Sequence, residues 1–359
     1  MRLLESRIPN PEPRAPEPRP MRITLTFVLA LTLVQATPPK WTALSSGVTA
    51  RLRGVSAVNE RVAWASGSRG TIIRTTDGGA TWQALTIPGT EKLDFRDIDA
   101  IDEKTAYVLS IGNGEASRIY KTIDAGATWV EQFVNKDEKA FFDAMAFWDA
   151  NRGIAVSDSN EGQFVIMTTT NGGKSWTRVP AAGLPAALPN EGFFAASGTN
   201  VTVLPPNRVW LGTGAASESR VLRSPDGGRT WTIAKTPLAS GSSSGIFSIA
   251  FSDAMHGIVV GGDYKVESAA VDNAATTSDG GATWTLMKGL TGFRSVVAYT
   301  ARDGASLVAV GPLGADFSTD RGKTWTAIPG PGFDTFSVAP RSRIGFGAGA
   351  KGAIGKLTQ

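Results

Sequence analysis

One octapeptide recurs six times in this chain and restricts what the chain can fold into more than any other feature. Its fullest form is Thr75-Thr76-Asp77-Gly78-Gly79-Ala80-Thr81-Trp82. It returns around Asp124 and Trp129, Asn171 and Trp176, Asp226 and Trp231, Asp279 and Trp284, and Asp320 and Trp325. The tryptophans are spaced by 47, 47, 55, 53 and 41 residues. A period of this size marks a repeat architecture built from one supersecondary unit per repeat. The octapeptide has the chemistry of a hairpin turn. The Asp carboxylate can accept hydrogen bonds from N–H groups just ahead of it. Gly supplies the positive φ that tight hairpins need. The flanking Ser and Thr suit strands, and their hydroxyls can tie the two strands together. The Trp leaves on the next strand as a wedge between layers. Burying about 200 Å² of indole at ~25 cal/mol/Å² is worth on the order of 5 kcal/mol before entropy. Asn171 keeps a carbonyl acceptor, so the third copy is expected to form the same turn.

The pattern S/T-x-D-x-G-x-T/S-W resembles the Asp-box, or bacterial neuraminidase repeat, of sialidases and other β-propellers. That resemblance implies a turn between the third and fourth strands of a propeller blade, away from any active site. Around each box the residues themselves spell out four short strands. The first set is Arg53 to Val58, Arg61 to Ala65, Thr71 to Thr75 and Thr81 to Leu85. After the sixth box come Thr335 to Ala339, Ile344 to Gly347 and Ala353 to Leu357, without a box. Lys40 to Leu44 looks like a strand that follows a box, yet has none before it. The reading is an all-β fold: a seven-bladed β-propeller of four-stranded antiparallel blades. The amino-terminal strand closes the ring, so that no sheet edge stays open. Residues 37–359 form this single propeller, with no second domain.

The segment ahead of it has a different character. Residues 1–20 carry six prolines and no apolar period, and are expected to be an upstream extension before a true start at Met21. Residues 21–36 combine Arg22, an apolar run from Ile23 to Val34 and a small-residue end at Ala36. This is the form of a secretory signal peptide, too short for a span of about 20 residues. Cleavage near Ala36 would place the protein in the periplasm or outside the cell. Cys is absent and His occurs once, at His256, which excludes disulfide frameworks, thiolate zinc sites, Cys nucleophiles and multi-His metal centres. No metal and no cofactor is expected. The formal charge of +4 falls to +2 without the first 36 residues, and no basic run remains. Nucleic acid is therefore not an expected partner, and the propeller is expected to be a monomer.

Blade topology says where a site belongs. In an antiparallel blade the octapeptide turns share one face of the ring with the turns between first and second strands. The opposite face takes the second-to-third loops and the connections between blades. The long segments fall there: 111–117, 158–163, 181–197, 237–244 and 261–275. Long loops on a rigid scaffold carry function. Asp158, Glu161, Glu191, Asp263, Tyr264 and Glu267 lie in them. The first strands align as Leu52-Arg53, Phe95-Arg96, Phe142-Asp143, Thr199-Asn200, Phe247-Ser248, Phe293-Arg294 and Phe333-Asp334. The first member of each pair is expected between blades and the second near the mouth of the central channel. Arg53, Arg96 and Arg294 there can take a carboxylate or phosphate; alternation with Asp143 and Asp334 can equally neutralise a wet channel. Gly241 to Gly245 and Gly347 to Gly352 match the nucleophile-elbow and dinucleotide patterns, but no helix is expected after either. His256 reads as a turn residue.

The first blade, from Val55 through Trp64-Ala-Ser-Gly-Ser-Arg-Gly-Thr-Ile-Ile-Arg-Thr-Thr to Trp82, resembles the photosystem II stability/assembly factor family of secreted propellers. The likeness runs more weakly through residues 40 to 357. It implies a non-catalytic assembly scaffold that meets a protein or membrane complex on the periplasmic side through an arginine patch. Arg51, Arg53 and Arg96 are the residues here that can contribute to one, although a mature charge near +2 departs from a strongly basic face. No residue is cast as catalytic on this reading. The other reading is a sialidase-like glycoside hydrolase with a glycan substrate. It would cast Arg53, Arg96 and Arg294 as the carboxylate clamp and Tyr264 or Tyr299 with Glu267 as the nucleophile pair. The boxes alone carry no catalytic claim.

Overall fold

The apolar runs of this chain are short and continuous rather than alternating, as in Tyr107-Val108-Leu109, Val209-Trp210-Leu211 and Ile258-Val259-Val260. Such strands must be covered on both faces. A computed structural model, which describes residues 9–11, 38–301 and 303–359, shows how. Residues 38–359 form 28 strands in seven four-stranded antiparallel sheets. The second strand of each sheet is buried between its neighbours, as Ala63–Gly67 and Leu307–Gly311 are along their whole lengths. The outer strands, such as Gln83–Leu85 and Thr177–Arg178, are largely exposed. The fold is thus the seven-bladed propeller expected from the boxes. The upstream extension and the signal peptide lie outside the described residues, apart from 9–11.

The seventh blade is a composite. Lys40–Ser45 pairs antiparallel with Ala353–Thr358 from Lys40 opposite Thr358 to Ser45 opposite Ala353. Trp41 anchors this closing strand, buried with its ring 4.7 Å from Phe333 and 5.7 Å from Phe336.

Each octapeptide folds the same way. Thr75 Oγ1 donates to Asp77 Oδ1 at 2.8 Å and accepts the Gly79 N–H at 2.9 Å. Asp77 also takes the Thr81 N–H and hydroxyl, at 2.9 and 2.6 Å. Asn171 makes the same turn, with its amide nitrogen donating to the Ser175 hydroxyl at 2.8 Å. The box tryptophans are half-buried against the clusters between blades; only Trp231 is nearly covered. The deeper wedge comes from the preceding blade. Trp210 donates its Nε1–H to the Gly280 carbonyl of the next box at 2.9 Å, and Tyr107 its hydroxyl to the Gly172 carbonyl at 2.9 Å. A Cβ on Gly79 would lie 2.5 Å from Leu44 and 3.2 Å from Phe346, so the turn must be glycine for reasons of space as well as its φ of 90°.

Polar side chains stitch the inner strands together around the axis. Ser337 accepts the Ala57 N–H, Ser56 the Ala100 N–H, and Ser248 the Val297 N–H, at 3.0–3.1 Å. Between the second and third blades, Asp97 and Asp99 accept the Met145 and Phe147 N–H groups at 2.7 and 2.9 Å.

Candidate functional site

The inner strands enter the ring from the long-loop face, and four of them carry a one-residue bulge near that entry. The pairing skips Arg53 between Leu52 and Gly54, and Arg96 between Phe95 and Asp97. It likewise skips Asp143 between Phe142 and Ala144, and Phe247 between Ile246 and Ser248. A bulge turns its extra residue out of the ladder and re-aims it. Here all four extra residues line one cavity of about 550 Å³ at the channel mouth, with Arg51, Asp158, Phe193, Phe194, Tyr264, Glu267, Phe293 and Asp334 among its other walls. That size suits a small molecule or a few residues of peptide.

The cavity has three distinct sides. The basic side belongs to blades one and two. Arg53 donates through Nε to the Ala196 carbonyl at 2.9 Å, and Arg96 through Nη1 to the Ala195 carbonyl at 2.8 Å. Arg96 Nε holds Asp94 at 2.9 Å. Arg53 Nη1 and Arg96 Nη2 have no partner among the described residues. Burial, with help from the neighbouring Arg96 charge, lowers Arg53 to about 10. Arg51 is engaged by Asp334 through a two-pronged pair of 2.8 and 2.7 Å, which raises its pKa.

The acidic side belongs to blade three. Asp143 is fully buried and its Oδ2 finds no partner among the described residues. Burial drives its carboxyl well above the usual range, and the nearby Asp158 pushes the same way. Asp158 accepts the Phe193 N–H at 2.8 Å, yet burial still lifts it to about 6. The third side is aromatic. Phe194 stacks on Phe247 at 4.0 Å and 7°, Phe293 meets Phe247 edge-on at 4.7 Å, and the exposed Tyr264 closes against both Phe194 and Phe247 at 6.2 and 6.1 Å.

The floor of the cavity is the chain itself. The connection from blade three to blade four does not stay on the rim. Its residues 193–199 cross the channel, giving carbonyls to Arg53 and Arg96 and the Ser197 hydroxyl to the Ser295 carbonyl at 2.9 Å. Gly198 makes the crossing possible. It sits at φ 75°, where a Cβ would lie 2.1 Å from Asp97 Oδ1.

Of the residues singled out from sequence, Arg51, Arg53, Arg96, Asp143, Asp158, Tyr264, Glu267 and Asp334 line the cavity. Six others do not. Arg294 points between blades and is buried against Asp316, with Nε at 2.8 Å. Its position corresponds to Leu52, because Gly311 packs on Arg294 as Gly67 packs on Leu52; the expected pairing was one residue out of step. Glu191 is buried, holding Arg220 and the Thr213 hydroxyl. Glu161 is an exposed partner of Lys139 at 2.6 Å, and Asp263 shapes a turn by accepting the Lys265 N–H at 2.9 Å. Ser248 is likewise buried between blades, and Phe247 takes its place at the mouth. Tyr299 lines a cleft beside His256 and Thr283 on the octapeptide face, apart from Tyr264 and Glu267. Phe194, Phe247 and Phe293 escaped the reading of polar residues; the bulges that aim such side chains leave no mark in composition. Among the described residues no three His, Asp or Glu side chains converge as a metal set.

A seven-bladed propeller with a mixed-charge, aromatic-walled mouth on the face away from its repeated turns is what fold and cavity together define. No family model and no curated sequence matches the chain. Among solved structures it is similar to YCF48 bound to D1 peptide, at TM-score 0.64 and 18% identity, covering 91% of this chain and 98% of that one. YCF48 from Cyanidioschyzon merolae gives TM-score 0.63 and 18% identity over 89% of this chain and 99% of that one. A GH74 xyloglucanase from Xanthomonas campestris gives TM-score 0.60 and 17% identity over 89% of this chain, but 53% of its own. At these identities the likeness is one of fold.

Proposed function

We propose that this protein is a non-catalytic propeller scaffold, acting outside the cytoplasm. Its long-loop face binds a partner polypeptide and takes an acidic group of that partner against Arg53 and Arg96. The observation that carries the reading is the pair of unpartnered guanidinium nitrogens, Arg53 Nη1 and Arg96 Nη2, in a cavity walled by Phe247 and Tyr264. Guanidinium groups held in place by backbone carbonyls need no rearrangement to receive a carboxylate. The aromatic wall adds apolar area for flanking side chains. That a propeller of similar fold holds a peptide is consistent with this use.

The test is an array of terminally blocked peptides carrying Asp or Glu, each matched with its Asn or Gln counterpart, read by fluorescence polarisation. Acid-bearing peptides should bind the full chain at least about tenfold more tightly, as expected for a charge-assisted hydrogen bond. Arg96→Gln should erase the difference. Equal binding of both sets would refute the reading. The expected export is tested by sequencing the mature amino terminus, which should begin near residue 37.

A second reading keeps one specific support. Asp143 and Asp158 are two carboxyl groups beside Arg96 in one cavity, as a glycoside hydrolase would need. The sialidase casting has lost Arg294 to the interior. Turnover in a screen of fluorogenic sialosides and glucans, abolished by Asp158→Asn, would favour this reading over the scaffold.

A further inference from the structure

We infer that the blade-three wall of the cavity is a cation subsite: Asp143 and Asp158 receive an ammonium or guanidinium group of the same polypeptide whose acidic group meets Arg53 and Arg96. The ligand would then be a dipolar segment, with a base and an acid both held in the mouth. This inference rests on the proposed peptide-binding role of the channel mouth and specifies what that mouth selects.

The argument begins from an unmet demand. A buried carboxyl oxygen without a partner is costly, and the described part of the chain offers Asp143 Oδ2 none. Asp143 is 1% exposed, and the bulge in its strand turns it out of the ladder toward the cavity it lines. Asp158 stands beside it on the adjacent strand of the same blade. One of its oxygens, Oδ1, is committed to the Phe193 N–H, while Oδ2 has no partner among the described residues. Both carboxyl groups thus belong to residues that line one cavity. The other acids of the cavity are differently placed: Asp334 is saturated by Arg51, and Glu267 lies on the Arg51 side, where it acts on the same guanidinium.

The surroundings suit a cation. Burial, with repulsion from the nearby Asp158, pushes the Asp143 carboxyl well above the usual range. An incoming positive charge would relieve that repulsion and supply the missing donor in one step. The stacked Phe194–Phe247 pair and Tyr264 offer ring faces to the methylene stem of a Lys or to an Arg plane. The guanidinium groups of Arg53 and Arg96 repel such a group, so a base favours the Asp143 side and an acid the Arg96 side. Orientation follows from charge alone.

The experiment uses the full chain and acid-bearing blocked peptides with a Lys at each position relative to the acid. Each is paired with a peptide bearing norleucine, which keeps the stem and removes the charge. Titration calorimetry should give one preferred acid–base separation at which Lys binds about tenfold more tightly than norleucine. Asp158→Asn and Asp143→Asn should bring that Lys-to-norleucine ratio close to one. Both are near-isosteric, and thermal unfolding of each variant checks the fold. A ratio near one at every separation, with acid-dependent binding intact, would overturn the cation subsite and leave the peptide-binding role standing. Loss of acid dependence as well would overturn both.

Discussion

The carboxyl groups of this ring fall into two sets that titrate in opposite directions. Box aspartates are held low: the Thr81 and Thr128 hydroxyls bring Asp77 and Asp124 to about 2. At Asp226 and Asp279 slight burial works the other way, yet the hydrogen bonds led by Thr230 and Thr283 still win, again to about 2. A depressed folded pKa stabilises above the unfolded value near 3.9, and that contribution is lost as pH falls toward 2. Channel aspartates are the reverse. Burial raises Asp99 and Asp158 to about 6, so their protonated forms favour the fold and stability is lost as pH rises through that value. Urea unfolding across pH should therefore show greatest stability near pH ~4, with stability falling between about 4 and 6 as the raised aspartates ionise. Asp99→Asn keeps an acceptor for the Phe147 N–H. It should raise the unfolding midpoint at pH 7.5 and leave it unchanged at pH 4, whereas a uniform shift would contradict the assignment.

At the scale of elements, the repeated turn is a socket for the blade before it. Trp210 is stacked on Phe251 at 3.7 Å and bonded to the Gly280 carbonyl of the next octapeptide. Trp210→Ala should cost about 3–5 kcal/mol in urea unfolding, as large-to-small changes in a core do. Gly281 sits at φ 86° with Trp210 3.4 Å from where a Cβ would be, so Gly281→Ala should cost about 1–2 kcal/mol. The turn itself was legible because its chemistry is local: Asp77, Gly79 and Thr81 bond within a few residues of one another. The pairing of inner strands was only partly legible. Leu52-Arg53, Phe95-Arg96 and Phe142-Asp143 were read in step, but Phe247-Ser248 and Phe293-Arg294 were one residue off. A one-residue slip exchanges the faces of a strand. That slip assigns Ser248 and Arg294 to the mouth and Phe247 to the space between blades, whereas Phe247 lines the mouth. Nothing in residue type announces the bulge that decides it.

For the whole molecule, the period of the boxes and an unpaired first strand were enough to count seven blades and close the ring. Trp41→Ala, at the closing strand, should cost about 3–5 kcal/mol although Trp41 lies more than 300 residues from the strand it holds. The crossing of residues 193–199 was beyond reach of the sequence. A seventeen-residue loop at 181–197 announces function but not its path, and its anchors, Arg53, Arg96 and Ser295, come from three other blades. That crossing is what turns a channel into a floored cavity, and it fixes on which side of the ring a ligand must enter. Hydrogen–deuterium exchange with the selected dipolar peptide bound measures this directly. The account predicts protection confined to the mouth, at residues 141–143, 158, 193–196 and 264. Protection of the octapeptide turns around Asp226, Asp279 and Asp320, with the mouth unchanged, would contradict it.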